Sequence, residues 1–253
     1  MVAIIQARMG SSRLPGKTLA DLEGKPLLAR VIERVLAARL VQRATVATTT
    51  NPEDEAILDL ARSCGLDAYA GSSNNVLDRF YNAAKHVHAD VIVRITADDP
   101  FKDPDIIDRI IAVLLENREL DYVSNTIRPT FPEGLDVEAF SFDALERAWK
   151  EADIAADREH VTPYMWRHPE RFALRNVTND IDLSNLRWTL DYPEDLVFAR
   201  QVYGAFPDGR IFLMKDILEL LSERPELSAL NAGFERNAGY KKSLRESGAG
   251  KAG

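Results

Sequence analysis

The sequence has little of what secreted and membrane proteins depend on. Cys64 is its single cysteine, so no disulfide framework can form within the chain, which suits a reducing cytosol. No apolar run approaches the roughly 20 residues of a membrane-spanning helix. The opening MVAIIQAR lacks the basic start of a secretory signal. We therefore expect a cytoplasmic protein that does not contact the membrane.

Positive charge is also scarce, except in one place. Lys and Arg total 32 against 40 Asp and Glu, a formal net charge of −8, which argues against general nucleic-acid binding. The stretch ARMGSSRLPGKT, residues 7–18, reverses the sign because it carries Arg8, Arg13 and Lys17 and no acidic residue. A local excess of positive charge in an acidic chain predicts an anion-binding site.

This basic loop ends in Gly-Lys-Thr, as a P-loop does, but it is one residue out of register. The P-loop has a glycine five positions before that motif. Ser11 stands there, and the nearby glycine is Gly10. The loop can still hold a triphosphate, since backbone N–H groups and the hydroxyls of Ser11 and Ser12 can bind oxygens while the basic side chains neutralise charge. The alternative is a polar, solvated connection.

Segments of strand and helix character alternate up to about Thr126. VAIIQA, RATVATT and DVIVRIT predict strands, and residues 26–38 have the apolar spacing of a helix. The alternation predicts an α/β protein with a Rossmann-like, doubly wound, mostly parallel sheet. Residues 126–180 form a mixed α/β excursion within one domain of residues 1–240. Residues 241–253 are predicted to be a disordered tail.

Acidic residues follow two predicted strands. Asp98 and Asp99 come after DVIVRIT, and Asp191 ends RWTLD. Groups that follow parallel strands meet at the carboxyl edge of the sheet, where Mg²⁺ typically takes one or two carboxylates plus substrate phosphates. We predict such a site beside the basic loop and rank Asp98 above Asp99, because Pro100 makes a turn role for Asp99 equally plausible. Alternatively, the carboxylates cap turns or helices.

A basic loop next to acidic strand ends suits metal-assisted phosphoryl or nucleotidyl transfer. The loop would hold the leaving pyrophosphate, and the metal would stabilise developing charge. No Ser/His/Asp pattern, cysteine-rich metal motif or GxGxxG occurs in the sequence. Of the four histidines, His160 in REHVTP is the one with a possible role in a site.

Several segments resemble one family, in order and over roughly residues 2–240. IIQARMGSSRLPGKTLADLEGKPLLARVIERV resembles the opening of the cytidylyltransferases that activate acidic sugars, the acylneuraminate and 3-deoxy-manno-octulosonate cytidylyltransferases. GSSNNVLDRFYNAA, ITADDPF, YVSNTIRPTFPEGLDVEAFS, REHVTPY and RWTLDYPEDL are similar to the SpsF-type branch of spore-coat polysaccharide biosynthesis.

The resemblance implies a nucleotide-diphospho-sugar transferase type of fold and a magnesium-dependent transfer of CMP from CTP to an acidic sugar, for surface polysaccharide or glycan biosynthesis. It implies a homodimer whose mixed region crosses between subunits. Asp98 and Asp191 match the metal positions, and the catalytic set is Arg8, Lys17 and Asp98. The implied nucleotide contacts are Arg8, Gly10, Ser11, Ser12, Arg13, Lys17, Gly71 and Arg79.

One position departs from that branch, which usually carries an arginine just before the glycine of GSSNNVL. Ala70 occupies this place, so the choice of CTP is open. Three alternatives stand beside the cytidylyltransferase: a sugar-phosphate nucleotidylyltransferase that uses another NTP, a P-loop kinase, and a catalytically silent sugar-nucleotide-binding protein. The intact set of Lys17, Asp98 and Asp191 argues against a silent protein.

The mixed region supplies candidate contacts for the acceptor. FPEGLDVE contains Glu133, Asp136 and Glu138, and DREHVTPY contains Arg158 and His160. A polyhydroxy acid needs hydrogen-bonding partners for its hydroxyls and a cation for its carboxylate. We predict that the acidic residues and His160 engage hydroxyls and that Arg158 meets a carboxylate or phosphate. The alternative is an internal network in which Arg158 and His160 pair with Asp136 and Glu138.

Overall fold

A seven-stranded sheet organises the protein, in a computed structural model that describes residues 1–234, 236 and 238–246. A two-stranded hairpin lies apart from it. The strands, in chain order, are β1 (Val2–Gln6), β2 (Asp21–Leu22), β3 (Lys25–Pro26), β4 (Arg43–Thr49), β5 (Asp67–Gly71), β6 (Val91–Thr96), β7 (Tyr122–Ser124), β8 (Glu138–Ser141) and β9 (Leu174–Asn176).

The order of strands in the large sheet is β5-β4-β1-β6-β8-β7-β9. Neighbouring strands are parallel except at β8, which runs antiparallel to both β6 and β7. The predicted mostly parallel α/β sheet is therefore confirmed. β8 belongs to the segment that was predicted to be mixed. In the sheet it lies between β6, the last strand of the parallel half, and β7.

Ten α-helices occur among the described residues, and they cover both faces of the sheet. Their bounds are α1 (Leu27–Leu36), α2 (Glu55–Ser63), α3 (Val76–His86), α4 (Pro104–Glu116), α5 (Phe142–Glu151), α6 (Ala155–His160), α7 (Pro163–Arg167), α8 (Pro193–Gly204), α9 (Met214–Glu223) and α10 (Ala238–Glu246).

Strand β1 shows how the two faces arise, because its successive side chains point to opposite sides. Ala3 and Ile5 belong to a core shared with α1, α4 and α8. Val2 and Ile4 belong to a second core, shared with α3 and α5. All four side chains are buried, so the strand is apolar throughout instead of alternating. This explains why VAIIQA could be recognised as a strand between two layers.

In the regions that differ from the prediction, the backbone conformation is constrained by residues distant in the sequence. GLDVEAFS, residues 134–141, has a sequence that predicts a strand, but β8 begins only at Glu138, because Gly134 has φ +104° and turns the chain. RWTLD is not a regular strand: one isolated bridge joins Glu133 and Arg187. The sequence DREHVTPYMWRHP predicts a helix, but the helix is interrupted at Val161, which has φ +73° and separates α6 from α7.

The tail prediction is wrong for residues 241–246, which belong to α10. The predicted domain limit at residue 240 falls inside this helix. Tyr240 packs against the ring of His160, and Ser243 donates a hydrogen bond to Glu159, so tertiary contacts hold a segment that lacks local apolar periodicity. Residues 247–253 lie outside the described residues. Within those described, no helix has the length and apolar character needed to span a membrane.

Gly134 offers a test of the turn that precedes β8. A Cβ at this position would lie 2.6 Å from the carbonyl carbon of Trp188 and 2.8 Å from the amide nitrogen of Thr189. Backbone clash and positive φ together predict that Gly134→Ala lowers the free energy of unfolding by about 2–5 kcal/mol. At about 2–4 °C per kcal/mol, the melting temperature should fall by about 4–20 °C in calorimetry.

Gly10→Ala is the matched control, because an added Cβ there meets no atom within 4 Å. Its free energy of unfolding should change by less than about 0.5 kcal/mol. Equal melting temperatures for the two variants would show that the turn at Gly134 is not constrained as described.

Candidate active site

Three segments meet at the carboxyl edge of the sheet: the basic loop 7–18 after β1, the turn 97–100 after β6, and residues 187–192. The Leu190 amide donates to the Asp98 carbonyl at 2.8 Å, which joins the second segment to the third. The sequence predicted that these three segments would share one edge, and the structure brings them together although residues 187–192 do not form a regular strand.

The Lys17 side chain joins all three segments. Its ammonium donates to Asp98 Oδ2 at 2.8 Å, to Asp191 Oδ1 at 2.8 Å and to the Leu190 carbonyl at 3.0 Å. An ammonium has three N–H donors, so every donor has a partner. Burial alone would lower the pKa of Lys17, but the two carboxylates outweigh burial and raise the pKa above its ordinary value. Lys17 is therefore a permanent cation at this edge.

Asp98 and Asp99 have different surroundings. Burial would raise the pKa of Asp98, but the Lys17 ammonium outweighs it and lowers the pKa to about 2. Asp99 is 4% exposed and accepts hydrogen bonds from the Lys102 ammonium at 2.7 Å and the Thr96 hydroxyl at 2.5 Å. Burial raises the pKa of Asp99 to about 6, against the attraction of Lys102. Asp98 is thus the ionised partner of the loop, and Asp99 belongs to an internal pair.

Asp195 holds the segment that carries Asp191. Its carboxylate accepts hydrogen bonds from the backbone amides of Asp191 and Tyr192, at 2.8 and 2.9 Å, and from the Arg187 guanidinium at 3.1 Å. Asp195 is fully buried at the start of α8. Arg13 reaches the same segment from the loop, with its guanidinium 2.7 Å from Asp191 Oδ1. Asp191 therefore receives positive charge from both sides.

The loop itself is anchored by a residue that sequence reasoning missed. Asp54, which is 1% exposed, accepts the Met9 amide at 2.6 Å and the Thr49 hydroxyl. In the sequence, Asp54 lies within Asn-Pro-Glu-Asp, a pattern typical of the acidic first turn of a helix. The Ser11 hydroxyl accepts the Leu14 amide at 3.3 Å, so it is occupied within the loop.

The remaining loop candidates face solvent. Gly10, Ser12 and Arg8 are exposed. Among residues 1–234, 236 and 238–246, Arg8 has no ion-pair or hydrogen-bond partner for its side chain. An exposed, unpaired guanidinium beside a carboxylate-bound lysine is available to bind an anion.

Arg79 lies next to this free cation and is fully buried. Its Nη1 donates to the Ser72 carbonyl at 2.6 Å, but Nε and Nη2 have no hydrogen-bond partner within the described part of the chain. Burial lowers the pKa of Arg79 to about 10, and the charge of Arg8 adds to this effect. The Gly71 backbone packs against Arg79, because a Cβ there would lie 3.1 Å from its Cγ. Two unsatisfied donors on a buried cation mark a place for an acceptor group of a ligand.

A cavity of about 470 Å³ opens beside Asp98 and Asp191. Six carboxylates and three arginines line it, together with threonines and the aromatic rings of Trp166, Tyr192 and Tyr240. The acidic members are Asp98, Asp99, Glu133, Asp136, Glu138 and Asp191, and the arginines are Arg13, Arg94 and Arg187. Carboxylates for hydroxyl groups and aromatic faces for C–H groups are suited to a sugar.

The three predicted acceptor carboxylates all line this cavity, and each is paired with an arginine. Glu133 meets Arg187 at 2.9 Å, Asp136 meets Arg236 at 2.6 Å, and Glu138 forms an ion pair with Arg94. Glu138 also accepts hydrogen bonds from the hydroxyls of Tyr122 and Thr162. Burial would raise the pKa of Glu138, but Arg94 and these hydroxyls lower it.

The two basic residues that were predicted to contact the acceptor sugar, His160 and Arg158, differ in their position relative to the cavity. His160 lines the cavity, but burial lowers its pKa to about 4, so it is uncharged at neutral pH. Its Nε2 lies 3.0 Å from the Ser243 hydroxyl. Arg158 is not among the residues that line the cavity. The alternative ion-pair network is wrong in its partners, since Asp136 and Glu138 pair with Arg236 and Arg94 instead of Arg158 and His160.

Sequence reasoning also missed three arginines of the site, Arg94, Arg187 and Arg236. Arg94 is in the middle of a strand, where an arginine between apolar neighbours is a weak sign of a buried ion pair. Arg187 starts RWTLD and lies four residues before Asp191, a spacing that suggested nothing outside a helix. Arg236 comes from a part of the chain with no recognised motif.

The donor set fits a hard divalent cation. Asp98 and Asp191 both contact a single ammonium, so one Mg²⁺ ion could contact both carboxylates, and Mg²⁺ commonly uses two carboxylates with phosphates and waters. Among the described residues, no group of three or more His, Cys, Asp or Glu side chains could hold a metal ion. The residues therefore suit a metal that arrives with phosphate ligands rather than a metal bound by protein alone.

Two proteins of similar sequence have the names of the families that this sequence resembles. The SpsF spore coat polysaccharide biosynthesis protein of Bacillus subtilis is 29% identical over 246 residues, covering 93% of this chain and 97% of the relative. The 3-deoxy-manno-octulosonate cytidylyltransferase of Trichlorobacter lovleyi is 42% identical over 119 residues, 46% of each chain. The resemblance noted in the sequence is confirmed by both.

A solved structure and a family model agree with these relatives. The structure of a cytidylyltransferase from Leptospira borgpetersenii superposes with a TM-score of 0.88 at 30% identity, covering 93% of this chain and 99% of that one. The family model described as cytidylyltransferase matches residues 2–204, which hold the loop, Asp98, Asp191 and the acidic wall of the cavity. The chain therefore belongs to the cytidylyltransferase family.

Proposed function

We propose that this protein transfers CMP from CTP to a hydroxyl group of an acidic sugar and releases pyrophosphate, in the synthesis of a surface glycan. The observation that carries the proposal is the Lys17 ammonium held by Asp98 and Asp191, with the basic loop on one side and the sugar-sized cavity on the other. Nucleotide and acceptor would meet at these carboxylates. The names of the relatives support both the nucleotide and the class of acceptor.

The reaction joins the oxygen of the acceptor hydroxyl to the α-phosphorus of CTP and breaks the bond from that phosphorus to the pyrophosphate oxygen. The hydroxyl proton is released to solvent. The leaving pyrophosphate carries the developing charge, so cations placed around it stabilise the transition state. Arg8 is exposed and unpaired among the described residues, and Lys17 is fixed beside it in the loop. We assign Arg8, Lys17 and Arg13 to the phosphates and the carboxylate edge to the reacting centre.

Mg²⁺ is the cofactor that we propose for this centre, held by Asp98 and Asp191. When bound, the ion would supply positive charge that stabilises the negative charge on the phosphates. The Lys17 ammonium lies between the two carboxylates and contacts one oxygen of each. An ion held at this position would compete with the ammonium for the carboxylates, and the phosphates of the nucleotide would offer Lys17 a replacement partner. This exchange couples metal binding to nucleotide binding.

The cavity is suited to a sugar as the acceptor, although some of its polar groups already form ion pairs within the protein. Glu133, Asp136 and Glu138 each hold an arginine, and a carboxylate that is bound this way can still accept hydroxyl groups through its remaining lone pairs. Arg13 belongs to the loop and also lines the cavity, so the phosphates that it is proposed to bind would lie next to the acceptor. A homodimer and a cytoplasmic location stay predictions.

The nucleotide is the first property to test, because Ala70 replaces the arginine usual in the SpsF-type branch. We expect pyrophosphate release with CTP to exceed that with ATP, GTP or UTP by more than about tenfold in kcat/KM. The assay contains Mg²⁺ and 3-deoxy-manno-octulosonate or N-acetylneuraminate, and is followed by a coupled phosphate assay and by mass spectrometry of the CMP-sugar.

Two results would contradict the proposal. Faster turnover with another nucleotide and a sugar 1-phosphate would identify a sugar-phosphate nucleotidylyltransferase. Tight binding of CMP-sugars without turnover of any nucleotide would identify a silent binding protein.

Lys17→Met tests the exchange between ammonium and metal. Without the ammonium, Asp98 and Asp191 repel each other and become free to bind a cation, so the nucleotide-free variant should bind Mn²⁺ about tenfold more tightly than the wild type. Electron paramagnetic resonance of free Mn²⁺ measures this directly. The same variant should lose about two or more orders of magnitude in kcat/KM, because the phosphates lose a cation.

Arg13→Gln is the matched control for Lys17→Met. It removes one positive charge from Asp191 but leaves the ammonium between the carboxylates. Its gain in Mn²⁺ affinity should therefore be smaller. If wild type and Lys17→Met bind Mn²⁺ equally without nucleotide, the ammonium does not occupy the metal position.

Arg79→Met tests the nucleotide role of the buried guanidinium. Its two unpartnered donors make the charge costly in the absence of ligand, so the variant should keep or raise the melting temperature. Its dissociation constant for CTP, measured by calorimetry, should rise at least about tenfold.

Arg34→Met provides the comparison, because Arg34 is equally buried but bonded to the carbonyls of Lys102 and Phe212. This variant should lose stability and keep its affinity for CTP. If Arg79→Met also loses stability and binds CTP normally, Arg79 is a structural residue.

A further inference from the structure

The chain beyond the family segment folds back over the acceptor cavity. We name Phe234, Arg236 and residues 238–246 the C-terminal strap. Helix α10 of the strap packs on α6: the Ser243 hydroxyl donates to Glu159 Oε2 at 2.6 Å. The Tyr240 ring lies 5.2 Å from the ring of His160 and 5.6 Å from that of Trp166. Gly239 and Tyr240 line the cavity directly.

Two further contacts join the strap to other walls of the cavity. Phe234 stacks on Tyr192 with ring centroids 4.2 Å apart, next to the metal carboxylate that we assign to Asp191. The Arg236 guanidinium donates to the Phe131 carbonyl at 3.1 Å and to Asp136 Oδ1 at 2.6 Å. The strap thus touches three sides of the cavity, although the family model ends at residue 204.

The strap supplies one of the cations that pair with the carboxylates of the cavity. The other five lining carboxylates pair with cations inside residues 2–204, namely Lys17, Lys102, Arg13, Arg94 and Arg187. Within the described residues, the cation paired with the Asp136 side chain is Arg236, from the strap. Arg236 is 18% exposed and Asp136 26%, so solvent screens this pair only in part.

Without Arg236, the cavity would present an uncompensated carboxylate. A negative charge there repels a carboxylate on the acceptor and leaves a neutral acceptor unaffected. The cation of the strap therefore changes the relative affinity of the cavity for the two kinds of sugar. Such a charge balance selects between acceptors without changing the chemistry at the nucleotide.

We propose that the C-terminal strap determines acceptor specificity, with Arg236 neutralising Asp136 so that the cavity accepts an anionic sugar. This inference rests on the proposed function, since it concerns the acceptor of the same reaction. Arg236 acts through Asp136 and is a positioning and charge-balancing residue, and Tyr240 supplies part of the aromatic wall.

The test compares an acidic sugar with its uncharged primary amide as acceptors. The probes are 3-deoxy-manno-octulosonate and N-acetylneuraminate, each with its amide, at saturating CTP. In Arg236→Gln, the KM for the acid should rise about tenfold while the KM for the amide stays within about twofold. The dissociation constant for CTP should not change, and the melting temperature should fall by no more than about 5 °C, since the ion pair is partly exposed.

A double variant separates charge balance from loss of structure. Arg236→Gln combined with Asp136→Asn removes both charges, so it should restore most of the preference for the acid. A role that is only structural would not be rescued by a second substitution. Lys242→Ala is the control on the same helix, because its side chain is 72% exposed and lies 3.8 Å from Glu246, on the same helix. This variant should behave as the wild type.

Failure of the inference and failure of the proposed function look different. If the wild type forms no CMP-sugar from any probe, the proposed function fails and the strap proposal falls with it. If the wild type is active and Arg236→Gln keeps the acid-to-amide ratio, or the double variant does not recover it, the strap does not set specificity. An equal loss for CTP and for both acceptors would also overturn the proposal.

Discussion

The contact on which the site depends is the Lys17 ammonium shared by Asp98, Asp191 and the Leu190 carbonyl. It joins the loop after β1 to two segments more than 80 residues away in sequence, as the separations of 81 and 174 residues show. Two ionised carboxylates that contact one point in a partly buried place repel each other unless a cation lies between them. The ammonium therefore stabilises the free protein in an arrangement that a nucleotide with its metal can take over.

The same rule of compensated charge extends through the cavity. Its carboxylates are paired with arginines or lysines, so it can be rich in acidic groups and still accept a polar ligand. Two features break the rule: Arg8 is exposed and unpaired among the described residues, and Arg79 is buried with two donors unsatisfied. Both lie on the loop side, where the phosphates and the nucleotide are proposed to bind. Unused positive charge thus points to the anionic substrate.

Sequence patterns predicted an element correctly where its conformation depends mainly on its own residues. The apolar run at β1 and the helical spacing at α1 predicted both elements because burial on two faces and on one face leaves a clear pattern. They failed where distant partners decide the conformation. Residues 187–192 resemble a strand but are held by Asp195, and α10 lacks apolar periodicity but is held by α6 and the cavity wall.

The sequence by itself determined the class of sheet, the basic loop and the identity of Lys17, Asp98 and Asp191, because these depend on residue type and on position after strands. Only the tertiary structure decided which cation meets which carboxylate. Arg236 rather than Arg158 reaches Asp136, and Arg94 rather than His160 reaches Glu138. The reason is physical: an ion pair needs two charges within about 4 Å, and that distance is set by how the elements pack, not by their spacing along the chain.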